Sequence, residues 1–234
     1  MVDDFLNVLG GPSVDAEILY TLFLKERSLT TWPPLWRAAC ESNRFHDLVI
    51  VKVMYHYAPY IGDIVGGQPK AVKTPPVRIF APLRLEPFFA FFKDAIWVHV
   101  IREDLFAQAV SMVFAEETNV WERQNKDVVP LDYANNVVYD RAKFLDCAKH
   151  FHEERRQWHR IFDYFKISPI KISYEQAAND YPHYLEELIR RTGEKAIAPA
   201  PPRRFTKLGT DKNDAFVERL RQDWMQEFGS LPRM

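Results

Sequence analysis

Glycine is scarce in this chain of 234 residues, with 8 glycines against 16 prolines. Few positions are therefore free for φ > 0 or for close backbone approach to a ligand. Neither GxxxxGK[ST] nor GxGxxG occurs. The glycine-built phosphate cradles are absent, and a Walker-type phosphotransferase is disfavoured. Cysteine is scarcer still. Cys40 and Cys147 stand far apart, which excludes a disulfide framework or a cysteine metal cluster and reads as two free thiols in a reducing compartment. An excess of one charge is also missing: 31 basic and 32 acidic residues leave a formal net charge of −1. A general nucleic-acid binder carries a strongly basic balance, so no nucleic-acid partner is expected. No apolar run reaches the ~18 residues of a membrane span. The opening MVDDFLNVLGGPS carries acids and no basic n-region, unlike a signal peptide. The expected location is the cytoplasm.

What is present suits a globular chain. Hydrophobic residues make up 47% and aromatics 14%, enough for a real core and against wholesale disorder. No repeat and no composition break divides residues 1–234, which read as a single domain. Apolar spacing at Ile18, Leu19, Leu22 and Phe23 predicts a helix over 13–27 with Ser13 as N-cap. A second helix follows Pro33 and Pro34 through Leu35, Trp36 and Ala39. Leu48 to Val51, a continuous β-branched run, predicts a strand buried on both faces. Residues 66–82 form a Pro-rich connection. Residues 95–101 predict a strand and Asp104 caps the next helix, whose stripe is Leu105, Ala109, Met112 and Val113. A loop or lid over 122–134 precedes a long amphipathic helix over 136–165. A strand at 169–174, a helix over 183–192 ending at Gly193, and a last helix over 214–228 follow. Helices alternating with buried strands predict an α/β fold with a parallel sheet.

The strand-to-helix unit at 95–121 carries the chemistry. An arginine at the carboxyl end of a parallel strand, followed by a helix N-terminus, lies where α/β sheets bind ligands. Arg102 is always charged and forks two donors toward a phosphate, and Ser111, nine residues on, adds a hydroxyl. The same residues also suit a surface arginine and a serine facing a neighbouring helix.

IREDLFAQAVSMVFAEETNVW resembles the signature of the bacterial Stf0-type sulfotransferases, a group that includes trehalose 2-sulfotransferase and NodH-like proteins. Arg102, Asp104, Gln108, Ala109, Val110, Ser111, Thr118 and Trp121 match it in place. LVIVKVMYHYAPYI is similar to the family strand with a lysine before a Met-aromatic pair, here Lys52, Met54 and Tyr55. Trp158 through PIKISYE, with Tyr174 and Glu175, and TKLGTDKNDAFVERLRQDW, with Lys207, resemble two further segments. The likeness covers most of residues 45–228. It implies a P-loop NTPase-like three-layer parallel sheet flanked by helices, the sulfotransferase fold. It also implies sulfuryl transfer from 3′-phosphoadenylyl sulfate (PAPS), without a metal, to a hydroxyl of a carbohydrate or glycolipid. By the same resemblance Arg102 and Ser111 hold the 3′-phosphate, Lys207 and more weakly Arg204 reinforce that grip, and a homodimer is favoured.

Two departures set limits. The family's opening strand and TPRSGST-like loop, which cradles the 5′-phosphosulfate, has no counterpart here, so the sheet is expected to lack its first strand. Either the chain is truncated or mis-started, or it is a degenerate, non-catalytic relative that binds nucleotide or a protein partner. The family also carries a glutamate where this chain has Val14. Glu17 serves as general base only if the register shifts, and otherwise it is an acid favourable to a helix N-terminus. Lys52 either contacts the sulfuryl group or acceptor, or extends its amine to solvent. His56 is a second candidate base, more in keeping with a structural role. His150, His152 and His159 lie on one charged helix without matching acids or cysteines, and read as a solvated face rather than a metal site. Phe88, Phe89, Phe91 and Phe92 read as core or interface rather than as a base-stacking platform.

Overall fold

The computed structural model describes residues 31–45, 48–55, 58–67, 82–120, 134–179, 181–196 and 210–232. The expected helix over 13–27, most of the 66–82 connection and nearly all of the 122–134 loop lie outside them, as do Glu17, His56, Trp121, Arg204 and Lys207. The described elements are α1 (Trp32–Asn43), β1 (Arg44–Phe45), β2 (Leu48–Val49), α2 (Ala58–Val65), α3 (Pro82–Phe91), β3 (Val98–Ile101), α4 (Leu105–Thr118), α5 (Arg141–Phe165), β4 (Ile170–Ser173), α6 (Tyr174–Asn179), α7 (Tyr181–Thr192) and α8 (Asp211–Phe228). The protein is a mixed α/β structure in which β3 and β4 form a small parallel sheet. Among the described residues, no helix is long and apolar enough to cross a membrane. Two compact units divide the chain: residues 1–99, 157–172 and 179–201 make one, and residues 100–156, 173–178 and 202–234 the other.

In the first unit the core gathers Leu35 and Ala39 of α1, Ile61 and Ile64 of α2, Leu85, Phe88 and Phe89 of α3, and Ile161 of α5. Proline at the start of α1 suits a helix opening, where its missing N–H costs nothing. Helices α2 and α3 approach so closely at Gly62 that an added Cβ would stand 2.0 Å from the Arg84 carbonyl oxygen. Arg84 then forks onto Asp63, with Nε–Oδ1 2.9 Å and Nη2–Oδ2 2.5 Å. Phe88 and Phe89 are core residues, as expected, whereas Phe91 is exposed.

The strand expected at Leu48–Val51 differs from the observed one. β2 holds two residues, is only half-buried, and pairs antiparallel with β1 in the register Arg44↔Val49 and Phe45↔Leu48. Asn43 secures this hairpin by donating from Nδ2 to the Ile50 carbonyl at 2.8 Å. A short apolar run fits either a buried parallel strand or a small hairpin, and periodicity does not separate the two. Lys52 consequently lies in irregular backbone after β2, exposed, rather than at the end of a sheet strand.

The second unit packs α4, the amino-terminal part of α5, and α8. Its core comprises Phe106, Ala109, Val110, Val113 and Phe114 of α4, Phe144, Leu145 and Ala148 of α5, and Val217, Leu220 and Trp224 of α8. The helix boundaries have local causes. Asp104 caps α4 by accepting from the Ala107 N–H at 3.0 Å, as expected. α5 begins at Arg141 rather than 136 because the Asp140 carboxylate takes the N–H groups of Ala142 and Lys143, at 2.9 and 3.2 Å. α8 begins at Asp211, three residues earlier than expected, because Thr210 and Asn213 form a reciprocal capping box. Gly193 and Gly229 end α7 and α8 at φ 74° and 70°, the left-handed conformation that glycine adopts without penalty.

Candidate functional site

The second unit contains the turn that links β3 to α4, residues 102–104, together with Ser111, Arg155, Tyr174, Glu175 and Arg221. Two side chains of opposite charge hold the backbone of this turn. The Glu175 carboxylate accepts from the N–H of Glu103 at 2.8 Å and of Asp104 at 3.3 Å. Glu175 sits in the first turn of α6, whose start is fixed by Ser173 Oγ accepting from the Gln176 N–H at 3.0 Å. From α5, Arg155 donates to the carbonyl oxygens of Arg102 and, at 3.3 Å, of Glu103. Its Nη2 also reaches Gln108 Oε1 at 2.7 Å. Burial pulls the Arg155 guanidinium below its ordinary value, against the opposing influence of Glu175 and Asp104. Asp104 uses one oxygen as the α4 cap and gives the other to Arg221 of α8, with Nη2–Oδ2 2.6 Å.

Arg102 itself is held more loosely. Its guanidinium lies 5.0 Å from the centre of the Tyr174 ring, a cation–π distance. Arg102 Nε is buried without a hydrogen bond among the described residues, and the nearest anionic atom, Glu175 Oε1, is 3.8 Å away. A buried guanidinium nitrogen left unpaired is costly, so this group suits an incoming anion. Ser111 is exposed on α4. Asp104, Gln108 and Ser111 are spaced by four and three residues, which places them along one face of the helix. Arg102 and Ser111 therefore fall in the same unit, at the strand end and on the helix that follows.

Other expected residues behave differently. Lys52 belongs to the first unit. His152 is half-buried edge-on against Trp224, with ring centres 5.9 Å apart, and burial lowers its pKa. A solvated face is thus the wrong description of it. His150 is exposed and stands 3.4 Å from Glu154. Among the described residues no cluster of His, Cys, Asp and Glu is arranged to hold a metal ion. Cys40 and Cys147 are both free thiols.

Sequence reasoning singled out Arg102 and Ser111 but assigned nothing to Arg155, Arg221 or Gln108. The Asp104–Gln108–Ser111 spacing was legible on the chain. The partners of the turn were not, being 52 to 117 residues distant in sequence.

A family model of the Stf0 sulphotransferases matches residues 81–223, a span that includes the whole turn and its partners. The chain belongs to the Stf0 sulfotransferase family. Among characterised proteins it is similar to trehalose 2-sulfotransferase of Mycobacterium tuberculosis (strain ATCC 35801 / TMC 107 / Erdman), 25% identical over 131 residues. That alignment covers 56% of this chain and 47% of the relative, so the chain spans about half the length of the protein it matches.

Proposed function

We propose that this protein transfers a sulfuryl group from PAPS to a hydroxyl of a carbohydrate or glycolipid, with Arg102 and Ser111 binding the donor's 3′-phosphate. The observation that carries this reading is the buried Arg102 Nε, free of hydrogen bonds among the described residues, at the end of a parallel strand just before a capped helix. Family membership supports the reaction class, and the similarity to trehalose 2-sulfotransferase supports a sugar acceptor.

In the reaction, the acceptor oxygen forms the new O–S bond as the bond from sulfur to the 5′-phosphate oxygen breaks, releasing 3′,5′-ADP. The hydroxyl proton passes to a general base, for which Glu17 is the candidate. Charge spreads over the sulfuryl oxygens, so cations and donors do most of the work. Lys52 is proposed to meet that group or the acceptor, and Lys207 and Arg204 to reinforce the grip on the 3′-phosphate. No metal enters this scheme. We also take residues 1–234 as one sulfotransferase-like domain of the P-loop NTPase-like three-layer type, acting in the cytoplasm as a homodimer.

Calorimetric titration with 3′,5′-ADP tests the donor half-site. Arg102→Ala should weaken binding by ~1.5–3 kcal/mol, the worth of a hydrogen bond to a charged group. Incubation with sulfur-labelled PAPS and a panel of sugars then tests transfer. Binding without transfer to any acceptor would turn the reading toward a non-catalytic nucleotide-binding relative, and unchanged binding by the Arg102→Ala variant would remove Arg102 from the site.

A further inference from the structure

Of the six backbone hydrogen-bonding groups in the turn at 102–104, side chains take four, and the Asp104 carbonyl accepts from the Gln108 N–H at 3.0 Å. Glu175 accepts from the N–H groups of Glu103 and Asp104. Arg155 donates to the carbonyls of Arg102 and Glu103. The turn is thus clamped from its donor side by an anion and from its acceptor side by a cation. The same carboxylate lies 3.8 Å from Arg102 Nε, close enough to orient the guanidinium electrostatically but beyond hydrogen-bond length. Arg155 adds a bond to Gln108, one turn before Ser111 on α4, and so ties the strand end to the helix that carries the serine.

We propose that Glu175 and Arg155 are positioning residues for 3′-phosphate recognition: they hold the strand-end turn so that Arg102 and Ser111, rather than the turn's own amides, meet the phosphate. This rests on the donor site proposed above. In this role both residues act through the turn and α4. Glu175 occupies the amides at the entrance to α4, where a helix N-terminus would otherwise receive an anion itself. The phosphate is left to the guanidinium fork and the hydroxyl. The two amide bonds of Glu175 do not use Arg102 as a hydrogen-bond partner.

The test uses the full-length chain and two probes, 3′,5′-ADP and 5′-AMP, which differ by the 3′-phosphate. The quantity read is the ratio of their dissociation constants. Arg102→Ala should bring the ratio close to one. Glu175→Gln and Arg155→Lys should each lower it by about tenfold, the usual scale for losing a supporting partner of a binding group, while 5′-AMP affinity stays unchanged. Charge alone predicts the opposite sign for Glu175→Gln, because removing a carboxylate beside an anion site favours the anion. A raised ratio would therefore overturn the positioning role of Glu175. Amide hydrogen exchange gives an independent reading without ligand: Glu103 and Asp104 should lose protection in Glu175→Gln and keep it in Arg102→Ala. Equal loss of affinity for both nucleotides would mean a merely structural role and would also overturn the proposal. A wild-type preference that only Arg102→Ala abolishes would refute the positioning roles and leave the donor site standing. A wild-type ratio near one would refute both.

Discussion

At Gly62 a side chain has nowhere to go. The nearest obstacle is the Arg84 carbonyl oxygen, 2.0 Å from an added Cβ, and backbone does not step aside as a flexible side chain does. Gly62→Ala should therefore destabilise the protein by about 3 kcal/mol, the upper part of the range for overpacking, as read from the midpoint of urea unfolding. Cys147 offers a contrast in which burial acts on a proton. Desolvation pushes its thiol up to about 12 from an ordinary 9.0. The folded state thus keeps this proton where the unfolded chain releases it. The resulting stability is complete below pH 9 and is lost as pH rises through 12. A Cys147→Ala variant should unfold with a shallower loss of stability over that window, and iodoacetamide at pH 8 should label native Cys147 far more slowly than the thiol of the unfolded chain. Both residues were visible in the sequence, but neither constraint was. The distance from Gly62 to Arg84 and the burial of Cys147 are products of packing between elements.

Among the elements, helix ends were the most legible feature, because a cap is a local interaction that sequence spacing can reveal. Asp104 before α4 and Gly193 after α7 were readable. Asp140 was overlooked before α5, and Thr210 with Asn213 before α8, although each lies next to the helix it starts. Thr210→Ala should cost about 1 kcal/mol through loss of the cap. Gly229→Ala should cost a comparable ~1 kcal/mol for forcing a side chain into φ 70°. Thermal unfolding followed by circular dichroism at 222 nm checks both. Strands were less legible. The apolar run at Leu48–Val51 announced a strand but not its partner, and the partner turned out to be Arg44–Phe45 next door rather than the sheet. A strand's neighbour is a tertiary property, whereas a helix makes its own hydrogen bonds. The strand end at Arg102 was found because a charged residue after a β-branched run, followed by a capped helix, carries its meaning locally.

For the molecule as a whole, two separate cores hold the described residues, one around Phe88 and Ile61 and one around Phe144 and Leu220. Both phenylalanines are almost fully buried, so Phe88→Ala and Phe144→Ala should each cost about 3–5 kcal/mol. Each is expected to remove hydrogen-exchange protection first from its own unit. The candidate site was half-legible at this scale. Arg102 and Ser111 lie nine residues apart and could be linked by reading along the chain, while Glu175, Arg155 and Arg221 come from three later elements that only the fold brings to the turn.

That arrangement bears on the order in which the protein is made. Among the described residues, the side chains from outside the turn and α4 that brace residues 102–104 lie downstream of them: Arg155 is 53 residues on from Arg102, Glu175 is 72 on from Glu103, and Arg221 is 117 on from Asp104. A nascent chain with the strand and α4 already outside the ribosome still lacks its clamp. Among the described residues, the Arg221 brace forms only once α8 has emerged, so long-range closure delays the ordering of the turn. A chain released before residue 211 should keep the Arg155 and Glu175 clamp but lack the Arg221 contact to Asp104, so α8 adds the last of these three braces.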